Sequence, residues 1–199
     1  MHLTEKFSGT FFSASKAAQQ MSKEFNKPIA VIDSKNVSAG MGLTVLRVAK
    51  AIEDGAKFDE IVNKVDKWVS DSKIFVSVKT LKYMVNGGRV SPLKGLLAKI
   101  MNVKPIVSMD ENGKSILFGK TFSQQASLKK IYKHIQKINR GKTVWNYILL
   151  HAHNPEGAAK AEEKMLKLTG KSPVSLVNIS PVIGMHAGHG AIAIALLYN

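Results

Sequence analysis

Three short stretches carry the residue types able to hold a negatively charged group: Ser8-Gly9-Thr10, Gly87-Gly88-Arg89-Val90-Ser91-Pro92, and Gly184-Met185-His186-Ala187-Gly188-His189-Gly190. Ser8 stands where a helix begins. Its hydroxyl can cap the amide of Thr10 or Phe11, and a helix start with free amides is also a ready anion site. Arg89 follows two glycines, which take backbone angles that other residues avoid, so it sits at a sharp corner. Its planar, paired donors suit a carboxylate, and they suit equally a structural ion pair or a helix C-terminus. His186 lies in a glycine-rich segment, either bonded to backbone or donating to a carboxylate. In the second case its titration near neutrality would couple binding to pH. After Arg89, Ser91 and Pro92 open a helix. Along it Leu93, Leu96, Leu97, Ile100 and Met101 recur at i, i+3, i+4, i+7 and i+8, one apolar stripe. An arginine beside such a stripe points to a small acid with an apolar tail.

Other chemistries find less support. The four imidazoles His151, His153, His186 and His189 raise a metal site, with His151 and His153 sharing one face of a strand. Three or more ligands must converge for such a site, and no helical His-Glu-x-x-His pattern is present, so no metal is expected. Gly40-Met41-Gly42 lacks the third glycine and the downstream acid of a dinucleotide loop, and reads as a tight turn for close packing. No Ser-His-Asp order and no pair of spaced carboxylates stands out, so no enzyme and no catalytic residue is predicted.

These stretches hang on alternating helices and strands. A helix is predicted from Ser8-Gly9-Thr10 to about Phe25, with Ala14, Ala17, Ala18, Met21 and Phe25 inward. A short buried strand follows at Ile29–Asp33, and Asp33 is placed to cap the next loop. That loop runs from Ser34 to Met41, and helices follow at about Gly42–Glu53 and from Phe58 to Val69. Strands are predicted at Ile74–Val78, Ile106–Met109, Lys114–Thr121, Val144–Ala152, Val174–Ile179 and Ala191–Tyr198. Asn112-Gly113 marks a hairpin between the second and third of these. Helices are predicted after the Ser123 cap, with Leu128, Ile131, Tyr132, Ile135 and Ile138 inward, and at Pro155–Leu168. Ser180–His189 reads as a loop. The alternation argues a layered α/β fold, with a boundary near Lys79.

The chain of 199 residues is 45% hydrophobic and 22% charged, ordinary for a globular protein. It contains no cysteine, which excludes disulfides and thiolate chemistry and is compatible with a cytoplasmic location. No apolar run reaches the roughly 18 residues of a membrane span, so no integral membrane association is expected. The net charge of +15 predicts attraction to something acidic, but the lysines are scattered over several helices, as on a solvated surface.

Taken together, Ser8-Gly9-Thr10, Val31-Ile32-Asp33-Ser34, Gly40-Met41-Gly42, Thr80-Leu81 with Tyr83, Gly87-Gly88-Arg89-Val90, Asn102-Val103-Lys104-Pro105-Ile106 and the final Gly184–Gly190 segment resemble the DegV family of bacterial fatty-acid-binding proteins in order and spacing. The resemblance implies a layered α/β/α N-terminal part, incomplete over residues 1–78, followed by a mixed-sheet α/β domain over 79–199. It implies that the protein binds a long-chain fatty acid and presents its carboxylate to a fatty acid kinase catalytic subunit, with no other cofactor. Ser8, Arg89 and His186 would then meet the carboxylate. Phe11, Leu96, Leu97, Ile100, Met101 and Ile106 are candidates to line the tail. Family members usually begin with a further segment bearing a first strand and a threonine-serine loop, absent here. They also usually have proline where His189 stands.

Two other readings compete. A chain lacking its first strand would expose a sheet edge and would dimerise or swap segments rather than bind ligand. A nucleic-acid binder, suggested by the charge, would need a clustered basic face and a recognition module. No such module is found, so nucleic acid is not an expected partner.

Overall fold

The computed structural model describes residues 1–88 and 103–199. Among them the helices are α1 (Thr10–Phe25), α2 (Ser38–Glu53), α3 (Phe58–Asp71), α4 (Lys82–Asn86), α5 (Gln124–Ile138), α6 (Pro155–Thr169) and α7 (Pro181–Ala187). The strands are β1 (Ser72–Ser77), β2 (Lys104–Met109), β3 (Ser115–Thr121), β4 (Val144–His151), β5 (Ser175–Asn178) and β6 (Ile192–Tyr198). They form one mixed sheet in the order β3-β2-β1-β6-β4-β5. Only β4 and β5 pair in parallel, joined through α6, as a parallel pair requires a crossover.

β6 is the centre of the sheet. It reads Ile-Ala-Ile-Ala-Leu-Leu-Tyr, and all seven residues are buried. A strand covered on both faces is apolar throughout. Its period of two separates the faces. Ile192, Ile194, Leu196 and Tyr198 join Leu128, Ile131 and Ile135 of α5 and Ala161 and Met165 of α6 in one core. Ala193, Ala195 and Leu197 pack instead with Leu43 of α2 and Val65 and Trp68 of α3.

Local signals explain most boundaries. The Ser123 hydroxyl accepts the amide of Ala126 at 3.1 Å and starts α5. Gly113 takes φ +75° in the β2–β3 hairpin, and the Asp110 carboxylate accepts the amides of Asn112 and Lys114. Asp33 does cap its loop, accepting the Lys35 amide at 2.9 Å.

Four expectations need correction. Ile29–Asp33 is not a buried strand: Ile29 is 48% exposed, and the segment makes only an isolated parallel bridge between His2 and Asp33. An apolar run becomes a strand only where a neighbour supplies a full ladder. α2 begins at Ser38, so Gly40-Met41-Gly42 lies inside a helix rather than in a loop. α1 runs as predicted, but none of its residues is buried, and Phe25 is 59% exposed. Periodicity shows which side of a helix is apolar, not whether another element covers it. Finally, Ser180–His189 contains α7, with the Ser180 hydroxyl facing the Ile183 amide at 3.5 Å. The boundary expected near Lys79 falls just after β1, which sits inside the sheet between β2 and β6.

Candidate functional site: a mostly apolar cavity

A cavity of about 500 Å³ opens on the α2 side of the sheet, within the range of roughly 300–1,000 Å³ typical of ligand pockets. β6 leaves the room for it. Where its other face presents isoleucines, this face presents Ala193, and Ala191 just before the strand continues the small-residue series. Ile74 and Val76 of β1 and Leu150 of β4 complete the floor. Val182 and Ile183 of α7, Met84 of α4 and Met41 of α2 supply further walls. Methionine is flexible and polarizable, so Met41, Met84 and Met109 give the walls adaptable shape.

The N-terminal segment contributes Leu3, Phe7 and Ser8. It is held by backbone bonds from the His2 amide to Ile32 O, from Ser34 to His2 O and from Thr4 to Asn36 O, at 2.9–3.0 Å. The buried Thr4 hydroxyl donates to Gly113 O at 2.8 Å, pinning the segment to the β2–β3 hairpin. The start of α2 is packed as tightly. A side chain at Gly40 would place its Cβ 2.1 Å from Asn36 Oδ1, and the Ser72 hydroxyl donates to Gly40 O at 2.7 Å. Glycine here serves close packing.

Two of the three residues expected at an acidic head group line this cavity: Ser8 and His186. The Ser8 hydroxyl accepts the Thr10 amide at 3.2 Å. A hydroxyl that accepts from an amide still has its own proton to donate. Gly9, not Ser8, is the N-cap residue of α1. His186 lies in the last turn of α7, and its ring lies over Gly87. A Cβ at position 87 would come within 2.0 Å of Nδ1 and 2.4 Å of Cε1. The Gly87-Gly88 pair therefore divides its work. Gly87 has ordinary helical angles and admits the imidazole, while Gly88 takes φ +72°. A second contact runs the other way: a Cβ at Gly188, φ +77°, would meet the Tyr83 ring at 2.3 Å. α4 and α7 thus interlock through two glycine–ring contacts.

Arg89, the third residue, and Leu96, Leu97, Ile100 and Met101 fall outside the described residues. Two tail candidates are placed elsewhere. Ile106 is fully buried on the opposite face of the sheet, among Leu128, Ile131 and Ile135. Phe11 is half-buried on α1, edge-on to Phe12 at 5.6 Å, and is not among the described lining residues. Sequence reasoning missed Leu3, Phe7, Met84, Val182, Ile183, Ala191 and Ala193. The Ala-Ile alternation at 191–195 was a usable signal for the last two. His151 also lines the cavity, and its Nδ1 accepts the Asn154 amide at 3.1 Å. Among the described residues no three of His, Asp and Glu gather as a metal site would require.

A mixed α/β sheet bearing a mostly apolar cavity, with Ser8, Ser38, His151 and His186 among its polar lining, has the features of a small-molecule binding site. The protein's family is DegV: the family model described as "Uncharacterised protein, DegV family" matches residues 1–199, and the chain belongs to that family. A DegV domain-containing protein of Clostridium acetobutylicum is 30% identical over 201 residues, covering 98% of this chain and 68% of that protein. Among solved structures, a fatty-acid-binding DegV family protein from Streptococcus agalactiae superposes with a TM-score of 0.88 at 23% identity. The match covers 98% of this chain and 68% of that one. A DegV family protein from Thermus thermophilus, described for its fatty acid binding, gives 0.86 at 26% identity, covering 100% and 70%. Among the described residues no helix is long and apolar enough to cross a membrane.

Proposed function

We propose that this chain binds a long-chain fatty acid, its tail in the cavity and its carboxylate held by Ser8 and His186. The observation that carries the reading is that Ser8 and His186, far apart in sequence, line one cavity whose other walls are mostly apolar. Burial of a tail contributes about 0.8 kcal/mol per methylene, enough over a long chain to outweigh the ordering cost. The Ser8 hydroxyl and the imidazole supply donors to the carboxylate, and Arg89 adds a planar cation in the same reading. The fatty-acid binding named for the Thermus thermophilus relative agrees with it. The protein acts by holding and presenting the carboxylate, and a separate kinase subunit phosphorylates it.

Native mass spectrometry of the purified protein tests the ligand. A lipid adduct of fatty-acid mass is expected, and titration with palmitate or oleate should saturate at one per chain. Hydrogen bonds to a charged group contribute about 1.5–3 kcal/mol, so Ser8→Ala and His186→Ala should each weaken binding by roughly tenfold or more. Absence of lipid together with absence of titratable binding would refute the reading. Acyl phosphate formed by an added kinase only in the presence of this chain tests the presentation step.

A further inference from the structure

The stretch from Val78 to Gly87 and the stretch from His186 to Ala191 meet through contacts of one kind: a side chain of one lies against a glycine of the other. A Cβ at Gly188 would come within 2.3 Å of Tyr83 Cδ2 and 2.6 Å of its Cε2. A Cβ at Gly190 would come within 2.4 Å of Lys79 Cε, just as one at Gly87 would meet His186. Gly188 and Gly190 take φ of +77° and +83°, where other residues are strained. Between these contacts Leu81 and Met84 are buried with Ala187 and Ala191. α7 has seven residues, too few to hold a helix by its own hydrogen bonds. Its last turn, which carries His186, therefore depends on what packs against it. Gly188 closes that turn, its amide donating to Gly184 O at 2.8 Å. Tyr83 packs on this closing residue and is not among the described residues that line the cavity.

We propose that Tyr83 is a positioning residue for the ligand's head group: its ring, seated on Gly188, fixes the last turn of α7 and with it the His186 imidazole that meets the carboxylate. The inference rests on the reading of the cavity as a fatty-acid site and deepens it. The ring carries this role rather than the hydroxyl, because the atoms nearest Gly188 are Cδ2, Cε2 and Cγ. A hydrogen bond to the carboxylate weakens steeply when its angle or length drifts. Burial of the tail is non-directional and follows the area removed from water. Loss of the Tyr83 ring therefore falls on the head group and spares the tail.

Palmitate and methyl palmitate are the probes, since they share a tail and differ in the charged head. Their affinities for the parent and the variants are measured by competition with a fluorescent fatty acid, and thermal unfolding checks that each variant is folded. The parent should prefer the acid. Tyr83→Ala should lose roughly tenfold or more in palmitate affinity, the scale of one hydrogen bond to a charged group, and keep its affinity for methyl palmitate. Tyr83→Phe, which retains the ring, should keep the parent's preference. If Tyr83→Ala does not fold, Tyr83→Leu carries the test with the same expected loss. An acid preference that survives removal of the ring overturns the inference and leaves the fatty-acid reading standing. So does an equal loss for both probes, the result of a merely structural role, and so does a Tyr83→Phe variant that behaves like Tyr83→Ala. A parent that binds neither probe overturns the fatty-acid reading and this inference with it.

Discussion

The imidazole of His186 rests on the backbone of Gly87, so close that any side chain at 87 would place its Cβ 2.0 Å from Nδ1. This contact couples one polar residue of the cavity lining to the glycine pair that precedes Arg89. Gly87→Ala should therefore displace the imidazole. The expected result is a destabilisation of about 1–3 kcal/mol, the usual cost of overpacking, with weakened fatty-acid binding. Gly141→Ala is the control, since nothing lies within 4 Å of its Cβ position and its φ is not positive. It should be neutral or slightly stabilising. Thermal unfolding and ligand titration of the two variants decide the matter. Equal behaviour would mean that the contact is not a constraint.

Ala193 opens the cavity because a methyl group stands where the other face of β6 carries isoleucines. Ala193→Leu should fill part of the space. Long-chain fatty acids should lose roughly tenfold or more in affinity, at about 0.8 kcal/mol for each methylene denied burial. Short chains should be less affected. Competition across a series of chain lengths measures this, and a uniform loss would place Ala193 away from the tail.

Ile106 gives the complementary prediction. It is fully buried in the α5–α6 core and is not among the described cavity-lining residues. Ile106→Ala should cost about 2–5 kcal/mol of stability, as large-to-small core changes do. Affinity of the folded fraction for fatty acid should stay the same. An affinity loss comparable to that of Ser8→Ala would return Ile106 to the tail site.

Asp71 ends α3 with its side chain almost fully buried. Burial alone would raise the pKa of its carboxyl, but hydrogen bonds from Lys142 and Lys67 and the charges of both lysines outweigh that and hold it below its ordinary value. A depressed folded-state pKa adds stability above the unfolded carboxyl's pKa, ordinarily about 3.9. That stability is lost as pH falls through the folded value. The parent should therefore lose this contribution as the pH falls into the acid range. Asp71→Asn should be destabilised by about 1–3 kcal/mol near neutrality and show a flatter acid limb. Denaturant unfolding from pH 3 to 7 measures both, and parallel curves would exclude the linkage.

Much of the scaffold was legible in the residue order. Ser123, Asn112-Gly113 and the apolar runs of β1 to β6 announce their elements because caps, turns and period-two alternation act over a few residues. The family motifs marked Ser8 and His186 as candidate head-group residues. The chain alone could not show that Ile106 turns to the helix-covered face, that α1 stays uncovered, or that Ile29–Asp33 finds no ladder. Each of these depends on which distant element arrives as a neighbour. The same holds for the cavity: alanines at 191 and 193 were visible, but a void exists only because α7, α4 and the N-terminal segment arch over them. Residue types and spacing determined which groups can bind an acid and which segments can be strands. Tertiary packing decided that His186 settles on Gly87 and shares one apolar space with Ser8, because only long-range contacts set the distance between residues so far apart in the chain.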